Sequence, residues 1–472
     1  MHNIDTSTAT RHRKTLRWVV AITALALIFD GYDLVVYGTV VSTLLRDPSQ
    51  IGVLDAVQAG LLGSYALMGV MVGALAAGAL GDFLGRRKIM IINIVWFSVG
   101  MVLTATTSSV MTFGFMRFLT GIGVGALVAT AGALIAEFAP AGKRNFYNAV
   151  VYSGVPAGAL IASLLAIVLL ESIGWRGLFL IGALPMLFLF PMALVKLPES
   201  PKWLMSRGRV VEAESLSLKT GIPLLSDSGT TAAAVSTAQM GQRAGFAGLA
   251  SKRFLLPTVL LGLMSFSGLL LTYGLNTWLP EIMFQYGYGK NYSLVFLVTL
   301  NAGAVIGGLV ASRAADTFGP RRIVSSTFGL ATLSLILLTF QLPLGVLLTA
   351  VAIAGLGTLG TQVLIYGFVS NYYTTSVRAA GVAWCAGFGR LGGIFGPLIG
   401  GFLVAAGVDN SVAFYVFAGV ALVGVLVTVF VPRHRTSEVP ESPDMSQPTA
   451  ADADPMLVPA MSASSRLQDD RL

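Results

Sequence analysis

The sequence predicts an all-α membrane protein with twelve transmembrane helices arranged in two six-helix halves. Of its 472 residues, 55% are hydrophobic and only 11% are charged, a composition that excludes a water-soluble globular protein. Apolar runs of roughly 20 residues, enough to cross a hydrocarbon core of about 30 Å, recur along the whole chain. A polar loop motif occurs twice, about half the chain length apart, and this repeat divides the runs into two sets.

The apolar runs also predict the domain organisation. We expect a cytoplasmic N-terminus over residues 1–17, with no signal-peptide cleavage site, and six-helix halves over 18–197 and 254–432. Between the halves, residues 198–253 are polar and predict a cytoplasmic linker with a helix around Val210 to Leu218, and residues 433–472 have the composition of a disordered tail. The twelve spans lie near residues 18–45, 57–80, 89–107, 110–136, 147–170, 176–197, 254–277, 290–314, 323–343, 345–369, 379–405 and 411–432.

The basic residues orient the protein in the membrane. With the N-terminus inside, only Arg46, Arg176 and Lys290 of the 30 Lys and Arg residues fall on the outer side, and Arg117 and Arg390 fall within spans. This asymmetry is the positive-inside rule, so the net charge of +8 indicates topology and not a nucleic-acid partner. We therefore predict a multi-pass protein of the cell membrane, a monomer with both termini in the cytoplasm.

Few residues offer metal or redox chemistry. Cys385 is the single cysteine, and His2, His12 and His434 all lie in the polar ends of the chain. We expect no disulfide, no metal site, no cofactor and no catalytic triad in the spans. A membrane enzyme is accordingly disfavoured, and so is a sensor, because the chain has no soluble signalling domain.

Two carboxylates interrupt the first span. Asp30 and Asp33 lie at membrane depth, where a carboxylate costs ~2.5 to 3.5 kcal/mol and usually faces an aqueous pathway or a cation. Helix-end residues that reach to the interface are the alternative, but the apolar run continues from Leu34 to Val41. Asp30, Asp33 and Tyr37 are spaced i, i+3, i+7 and so share one helix face, where they can line a transport cavity.

Depth along the helices pairs Asp33 with Arg117 of the fourth span. At ~1.5 Å per residue, Asp33 lies about 22 Å from the inner end of its helix and Arg117 about 10 Å from the outer end of its own. Both depths fall in the outer leaflet. We expect a salt bridge that opens during transport: the carboxylate stays ionised beside the arginine and takes up a proton when separated from it. A static pair that only neutralises Arg117 is the alternative. Asp30 is predicted as a second proton site, or as a residue that holds the Gly31–Tyr32 turn open.

Arg390, near the middle of the eleventh span, is a candidate substrate ligand. The C-terminal half has only Asp316 in a loop and Glu281 and Asp409 at span ends to balance this charge, so a substrate carboxylate can supply the anion. Pairing with Asp30 across the halves, as a gate, is the alternative. Ring surface for stacking is predicted from Trp384, Phe388 and Tyr366, and Tyr37 is predicted to line the same cavity.

The repeated loop motif supplies predicted gating residues. Gly81 to Arg87 recurs as Ala315 to Arg322, and Asp82 and Asp316 lie 234 residues apart, as do Arg144 and Arg378. In the second half, Asn371 occupies the position that corresponds to Glu137, so we expect a weaker charge network in that half. The predicted gating residues are Asp82, Arg86, Arg87, Glu137, Arg144, Asp316, Arg321 and Arg378.

These motifs resemble those of the major facilitator superfamily, and the resemblance covers residues 18–432. The loop from Gly81 to Lys88 is similar to the superfamily's loop motif. Further stretches resemble its sugar-porter-like branch: Arg117 to Gly125, Glu137 to Arg144, and Pro198 to Leu204. The resemblance implies the major facilitator fold.

The first-span motif Asp30-Gly31-Tyr32-Asp33 narrows the resemblance to the aromatic acid:proton symporter family. Arg378 and Arg390 match that family's pattern, and the seventh span lacks the paired glutamines of sugar porters. The resemblance implies proton-driven import of benzoate, hydroxybenzoate or a related ring carboxylate by alternating access, with Asp33 and Arg117 as coupling residues. A sugar:proton symporter is the second reading, and a drug:proton efflux antiporter, from the faint motif at Gly154 to Gly158, is the third.

Overall fold

The computed structural model describes residues 6–140, 143–222, 248–252, 254–373 and 375–432, and every regular element within them is a helix. The helices that precede the linker are α1 (Thr6–Arg46), α2 (Ala56–Leu84), α3 (Arg86–Ala105), α4 (Val110–Phe138), α5 (Arg144–Tyr152), α6 (Gly154–Gly182) and α7 (Pro185–Lys196). The linker contributes α8 (Pro201–Ser206) and α9 (Val210–Thr220). The helices that follow are α10 (Leu255–Gln285), α11 (Lys290–Phe318), α12 (Pro320–Leu337), α13 (Leu344–Gly355), α14 (Thr361–Tyr372), α15 (Thr375–Ala405) and α16 (Asn410–Phe430), with a π turn at Leu356–Gly360.

The predicted all-helical membrane fold is confirmed. Ten segments of the described residues are long and apolar enough to cross a membrane. One of them, Phe146–Lys196, has 51 residues, more than twice the roughly 20 that one crossing needs. It breaks at Gly174, between the fifth and sixth predicted spans, where φ is 67° and a residue with a Cβ would be strained. The count of twelve spans stays a prediction.

Helix α1 runs without a break through the Asp30–Asp33 motif and back to Thr6. The suggestion that Asp30 holds a Gly31–Tyr32 turn open is therefore wrong. Gly31 serves close packing instead, because a Cβ there would collide with the carbonyl oxygen of Val155 on α6, and one at Gly158 would collide with that of Ile28. Small residues that let two helices approach closely are typical of membrane bundles. The Gly154 to Gly158 stretch is thus the packing surface of α6 on α1.

The sequence repeat has a structural counterpart. Gly85 and Gly319 both adopt positive φ, 93° and 87°, and each donates its N–H to the carbonyl four residues earlier. The arginines that follow then bind the ends of equivalent helices: Arg87 donates to Leu194 O and Arg321 donates to Val429 O. The two loops therefore repeat one local structure.

The helices before and after the linker meet near the end of the bundle that carries Arg46, which we call the Arg46 end. Helix α2 packs closely on α15 there. A Cβ at Gly60 would lie 2.6 Å from the carbonyl oxygen of Pro397, and Ser64 Oγ donates to Ile394 O at 2.7 Å. Helices α6 and α11 meet through Asn301, whose Nδ2 lies 3.4 Å from Ser163 Oγ. At the opposite end, Gly367 and Gly387 face open space.

The described part of the linker contains the predicted helix around Val210 to Leu218, as α9. Its C-terminal end packs on α1, where Thr15 Oγ1 donates to Thr220 O at 3.3 Å. The Ser226 to Ala238 patch and the predicted disordered tail at 433–472 lie outside the described residues.

Candidate functional site

Asp33 and Arg117 form a buried ion pair between α1 and α4. Arg117 Nη1 donates to Asp33 Oδ1, and Nη2 lies 3.4 Å from the Asp33 carbonyl oxygen. The side chains are 0% and 1% exposed, respectively. The depth argument from the sequence thus placed the two residues correctly, although α1 and α4 are far apart in the chain.

Aromatic rings surround this ion pair. The Arg117 guanidinium lies 5.7 Å from the ring centres of Tyr37 and Phe179, within range of a cation–π contact. The Tyr37 hydroxyl donates to Ala59 O on α2 at 2.6 Å, and the Tyr32 hydroxyl donates to Leu178 O on α6 at 2.8 Å. Tyr37, predicted as a substrate ligand, therefore belongs to the apolar shell of the ion pair, and its hydroxyl proton is engaged by a backbone carbonyl.

The hydrogen-bonding groups of the Asp33–Arg117 pair are only partly satisfied. Among the described residues, Asp33 Oδ2 accepts no hydrogen bond, and Arg117 Nε donates none. Burying charges costs several kcal/mol per ion, and a single direct hydrogen bond leaves much of that cost unbalanced. The free Oδ2 is therefore an acceptor that the protein leaves without a partner among the described residues.

A second buried carboxylate, Asp30, lies within range of the charge of a different arginine. Asp30 is 2% exposed, and its Oδ1 accepts no hydrogen bond from the described residues. The charges that act on it are those of Arg390 and Asp33. No direct ion pair joins Asp30 to Arg390 within the described residues. The Arg390 charge is therefore balanced only at longer range, which leaves its guanidinium able to take an anion.

Tyrosines from both sides of the linker lie within range of the Arg390 charge. The groups that act on its charge are Tyr152 on α5 and Asp30 on α1, together with Tyr273 on α10 and Tyr366 on α14. Tyr273 is the first of these groups in the size of its effect on the Arg390 charge. Of this set, Arg390, Asp30 and Tyr366 were predicted from the sequence, whereas Tyr152 and Tyr273 were missed. A tyrosine in an apolar span carries no signal of its own, so only the packing of five helices reveals these two.

Trp384 and Phe388 lie elsewhere on α15. Their rings stack at 5.3 Å with an angle of 21°, and Trp384 Nε1 donates to Thr258 O on α10 at 2.9 Å. Phe388 also packs on Phe266, 5.8 Å between ring centres. Because Phe388 precedes Arg390 by two residues, the two side chains leave the helix about 200° apart. The structure therefore does not bring this stack and Arg390 onto one face.

Several predicted gating residues pair at the end opposite Arg46. Arg86 Nε lies 3.2 Å from Glu137 Oε1, and the backbone N–H of Arg87 donates to Glu199 Oε1 at 3.1 Å. Arg144 is exposed, and nothing is described for the side chain of Asp82.

Among the described residues, no ion pair joins the predicted gating residues of the second half, and the weaker charge network there stays a prediction. Asp316 is exposed, Arg378 Nε lies 3.4 Å from Tyr373 O, and Arg321 binds the Val429 carbonyl. The Arg86 side chain thus reaches a carboxylate, whereas the side chains of Arg87 in the first half and Arg321 in the second bind backbone carbonyls.

A charge cluster at the Arg46 end was not predicted. Glu281 on α10 is 2% exposed and accepts two hydrogen bonds of 2.7 Å from Arg46 on α1, in bidentate geometry. Ser42 Oγ and Gln285 Nε2 donate to the same carboxylate at 2.6 and 2.9 Å. We call these four residues the Arg46–Glu281 latch. The sequence showed only a glutamate at a span end, and its partner came from another span.

Comparison with known proteins agrees with this fold. Residues 19–438 match the family model described as sugar (and other) transporter. The chain is 30% identical to the benzoate transport protein of Acinetobacter baylyi, over 90% of this chain and 91% of that one. It is 34% identical to the gentisate transporter of Corynebacterium glutamicum, over 85% and 84% of the two chains.

A solved structure with the same fold is that of the xylose transporter XylE from E. coli, in a partially occluded inward open conformation. Its TM-score is 0.68 at 20% identity, and the match covers 88% of this chain and 99% of that one. The family match spans nearly all the described helices, and the relatives at 30% identity or more are transporters. The chain therefore belongs to the sugar (and other) transporter family of the major facilitator superfamily, and it is a transporter and not an enzyme.

Proposed function

We propose that the protein imports an aromatic carboxylate of the benzoate or hydroxybenzoate kind, together with protons, by alternating access. The observation that carries the proposal is Arg390, a partly buried arginine without a direct carboxylate partner among the described residues. Such a cation requires an anion, and a carboxylate fits the bidentate geometry of a guanidinium. The relatives named as benzoate and gentisate transporters support the same substrate class.

Proton coupling is assigned to Asp33 and Arg117. In the paired state the carboxylate is ionised and the arginine is neutralised. When the helices α1 and α4 shift, the free Oδ2 of Asp33 takes a proton and the pair separates, which links proton binding to the conformational change. Asp30, the other predicted coupling residue, lies one helical turn from Asp33 and within range of the Arg390 charge, and we assign it the link between proton binding and substrate binding.

The transport cycle uses contacts at both ends of the bundle. The Arg46–Glu281 latch joins α1 to α10 and holds the Arg46 end closed. At the opposite end, Arg86 and Glu137 are paired within the N-terminal half in this state, and closure of that end in the alternate state is assigned to the predicted gating residues there acting together. We place the Arg46 end outside the cell and both termini in the cytoplasm of a cell-membrane protein that acts as a monomer, needs no cofactor and is driven by the proton gradient.

A sugar:proton symporter is the second candidate, since the solved xylose transporter has the same fold. At 20% identity that likeness concerns the fold alone. A neutral sugar would leave the Arg390 charge without an anion, and this observation favours the carboxylate. The Gly154 to Gly158 stretch, the basis of the efflux alternative, packs on α1, so its glycines need no transport role.

Counterflow in proteoliposomes tests the proposal. Vesicles loaded with unlabelled benzoate should take up labelled benzoate, and vesicles loaded with xylose or glucose should take up no labelled sugar. Sugar counterflow without benzoate counterflow would refute the substrate class.

A further inference from the structure

We infer that Tyr273 on α10 is a second ligand of the substrate carboxylate and binds it together with Arg390. The inference rests on the proposed import of an aromatic carboxylate and adds a residue from another helix to that site.

The packing of Tyr273 places it beside Arg390. Its side chain is 8% exposed, and its ring covers Gly393 on α15, where an added Cβ would lie 2.8 Å from Tyr273 Cδ2 and 3.1 Å from Cε2. Gly393 follows Arg390 by three residues, so the two lie on the same face of the helix, about one turn apart. The glycine therefore makes room for the tyrosine ring next to the guanidinium.

The hydrogen-bond roles are determined by chemistry. The Tyr273 phenol lies within range of the Arg390 charge, over the face of α15 that carries Gly393. A guanidinium carries only donors, so toward Arg390 the phenol oxygen can act only as an acceptor. The phenol O–H remains to donate to another group. An anion bound at Arg390 would then receive one hydrogen bond from Tyr273 in addition to those from the arginine, and bonds to a charged acceptor are the stronger kind.

The other side of Tyr273 meets an apolar cluster suited to an aromatic ring. With Tyr273 this cluster contains the buried residues Leu67, Leu269 and Ile394, and it is flanked by Leu34, Met68, Met71, Leu391 and Leu398. Leu34, Leu67, Met68 and Met71 come from α1 and α2, and the others from α10 and α15. Tyr273 thus stands at the border between a cation and an apolar surface built from both halves. A ring carboxylate has the same two-part character.

Tyr152 provides a matched control. It also lies within range of the Arg390 charge, but its hydroxyl donates to Val128 O at 3.2 Å, so its proton is already engaged. Its ring comes from α5, in the half that precedes the linker. Removal of the Tyr152 hydroxyl should therefore leave both proposed ligands of the substrate carboxylate, Arg390 and Tyr273, in place.

The test is benzoate binding to the purified full-length protein, measured by isothermal titration calorimetry for wild type, Tyr273→Phe, Tyr152→Phe and Arg390→Gln. We expect Tyr273→Phe to weaken benzoate binding by about tenfold or more, since it deletes one hydrogen bond to a charged group and keeps the ring. Tyr152→Phe should change the Kd by less than about threefold. A double variant, Tyr273→Phe with Arg390→Gln, should lose less than the two single variants together, because both residues bind one group.

The outcomes separate this inference from the proposed function. If the wild type binds benzoate and Arg390→Gln weakens binding, but Tyr273→Phe binds like the wild type, the Tyr273 assignment alone is wrong. Equal losses in Tyr273→Phe and Tyr152→Phe would also overturn it. If the wild type binds no aromatic acid, the proposed function fails first. Gly393→Ala gives a second route, since its Cβ must displace the Tyr273 ring; unchanged benzoate affinity in that variant would contradict the inference.

Discussion

Replacement of Glu281 by Gln should open the Arg46 end of the bundle. The carboxylate accepts four hydrogen bonds, from both terminal nitrogens of Arg46, from Ser42 and from Gln285. Three of these hydrogen bonds come from Arg46 and Ser42 on α1, so they exist only while α1 and α10 are in contact. Glutamine has a similar shape but removes the charge and can offer only one oxygen as an acceptor.

The size of the effect follows from the burial of the two partners. A hydrogen bond to a buried charge contributes about 1.5 to 3 kcal/mol, but Arg46 is 40% exposed, and exposed ion pairs contribute about 0.2 to 1 kcal/mol. The cluster geometry and the 3% exposure of Glu281 place the latch between these limits, at about 1 to 3 kcal/mol. Its loss should shift the balance between closed and open states by roughly 5- to 150-fold.

Double electron–electron resonance measures this shift directly. Spin labels at Val53 and Tyr292, exposed positions near the Arg46 end on the two sides of the linker, report the separation of the halves after the buried Cys385 is replaced by Ala. Glu281→Gln should add a population at longer distance. The matched control is Glu212→Gln, which removes an exposed ion pair with Arg209 on the linker helix. An unchanged distance distribution in Glu281→Gln would refute the latch.

Two further predictions concern α1. Asp33→Asn should abolish uptake driven by a pH gradient while benzoate counterflow persists, because the amide keeps an acceptor for Arg117 but cannot take up and release a proton. The control is Asp55→Asn, at the exposed N-cap of α2. Uptake that still follows the pH gradient in Asp33→Asn would rule out the coupling role. Gly31→Ala should destabilise the protein by about 1 to 3 kcal/mol through overpacking against Val155, seen as a lower Tm, whereas Gly345→Ala, which meets open space, should not. Equal Tm values for the two variants would contradict the packing argument.

The sequence predicted what depends on one helix at a time. Depth along a helix depends only on residue count and rise, so Asp33 and Arg117 could be matched before their helices were known to touch. The break at Gly174 and the repeat of the loops at Gly85 and Gly319 follow in the same way from local composition. These features explain why the fold and the ion pair could be predicted.

The remaining features depend on which helices are neighbours and on their rotation. Tyr37 shares a helix face with Asp33, but the position of α2 decides that its hydroxyl binds Ala59. Trp384 and Phe388 lie near Arg390 in sequence, but their rings stack on each other and Trp384 donates a hydrogen bond to Thr258 O on α10, away from Arg390. Glu281 has no local sign of its partner. Rotation and neighbour choice result from packing over the whole bundle, which no single run of residues contains.

Binding of a panel of aromatic acids to the purified protein, with and without Arg390, tests the central claim most directly. The wild type should bind benzoate or a hydroxybenzoate. Arg390→Gln should lose at least about tenfold in affinity, since it removes the charge that the carboxylate pairs with. Arg209→Gln, at an exposed linker position, should bind like the wild type. Affinity for aromatic acids that is unchanged in Arg390→Gln, or binding of sugars and not of aromatic acids by the wild type, would contradict the account.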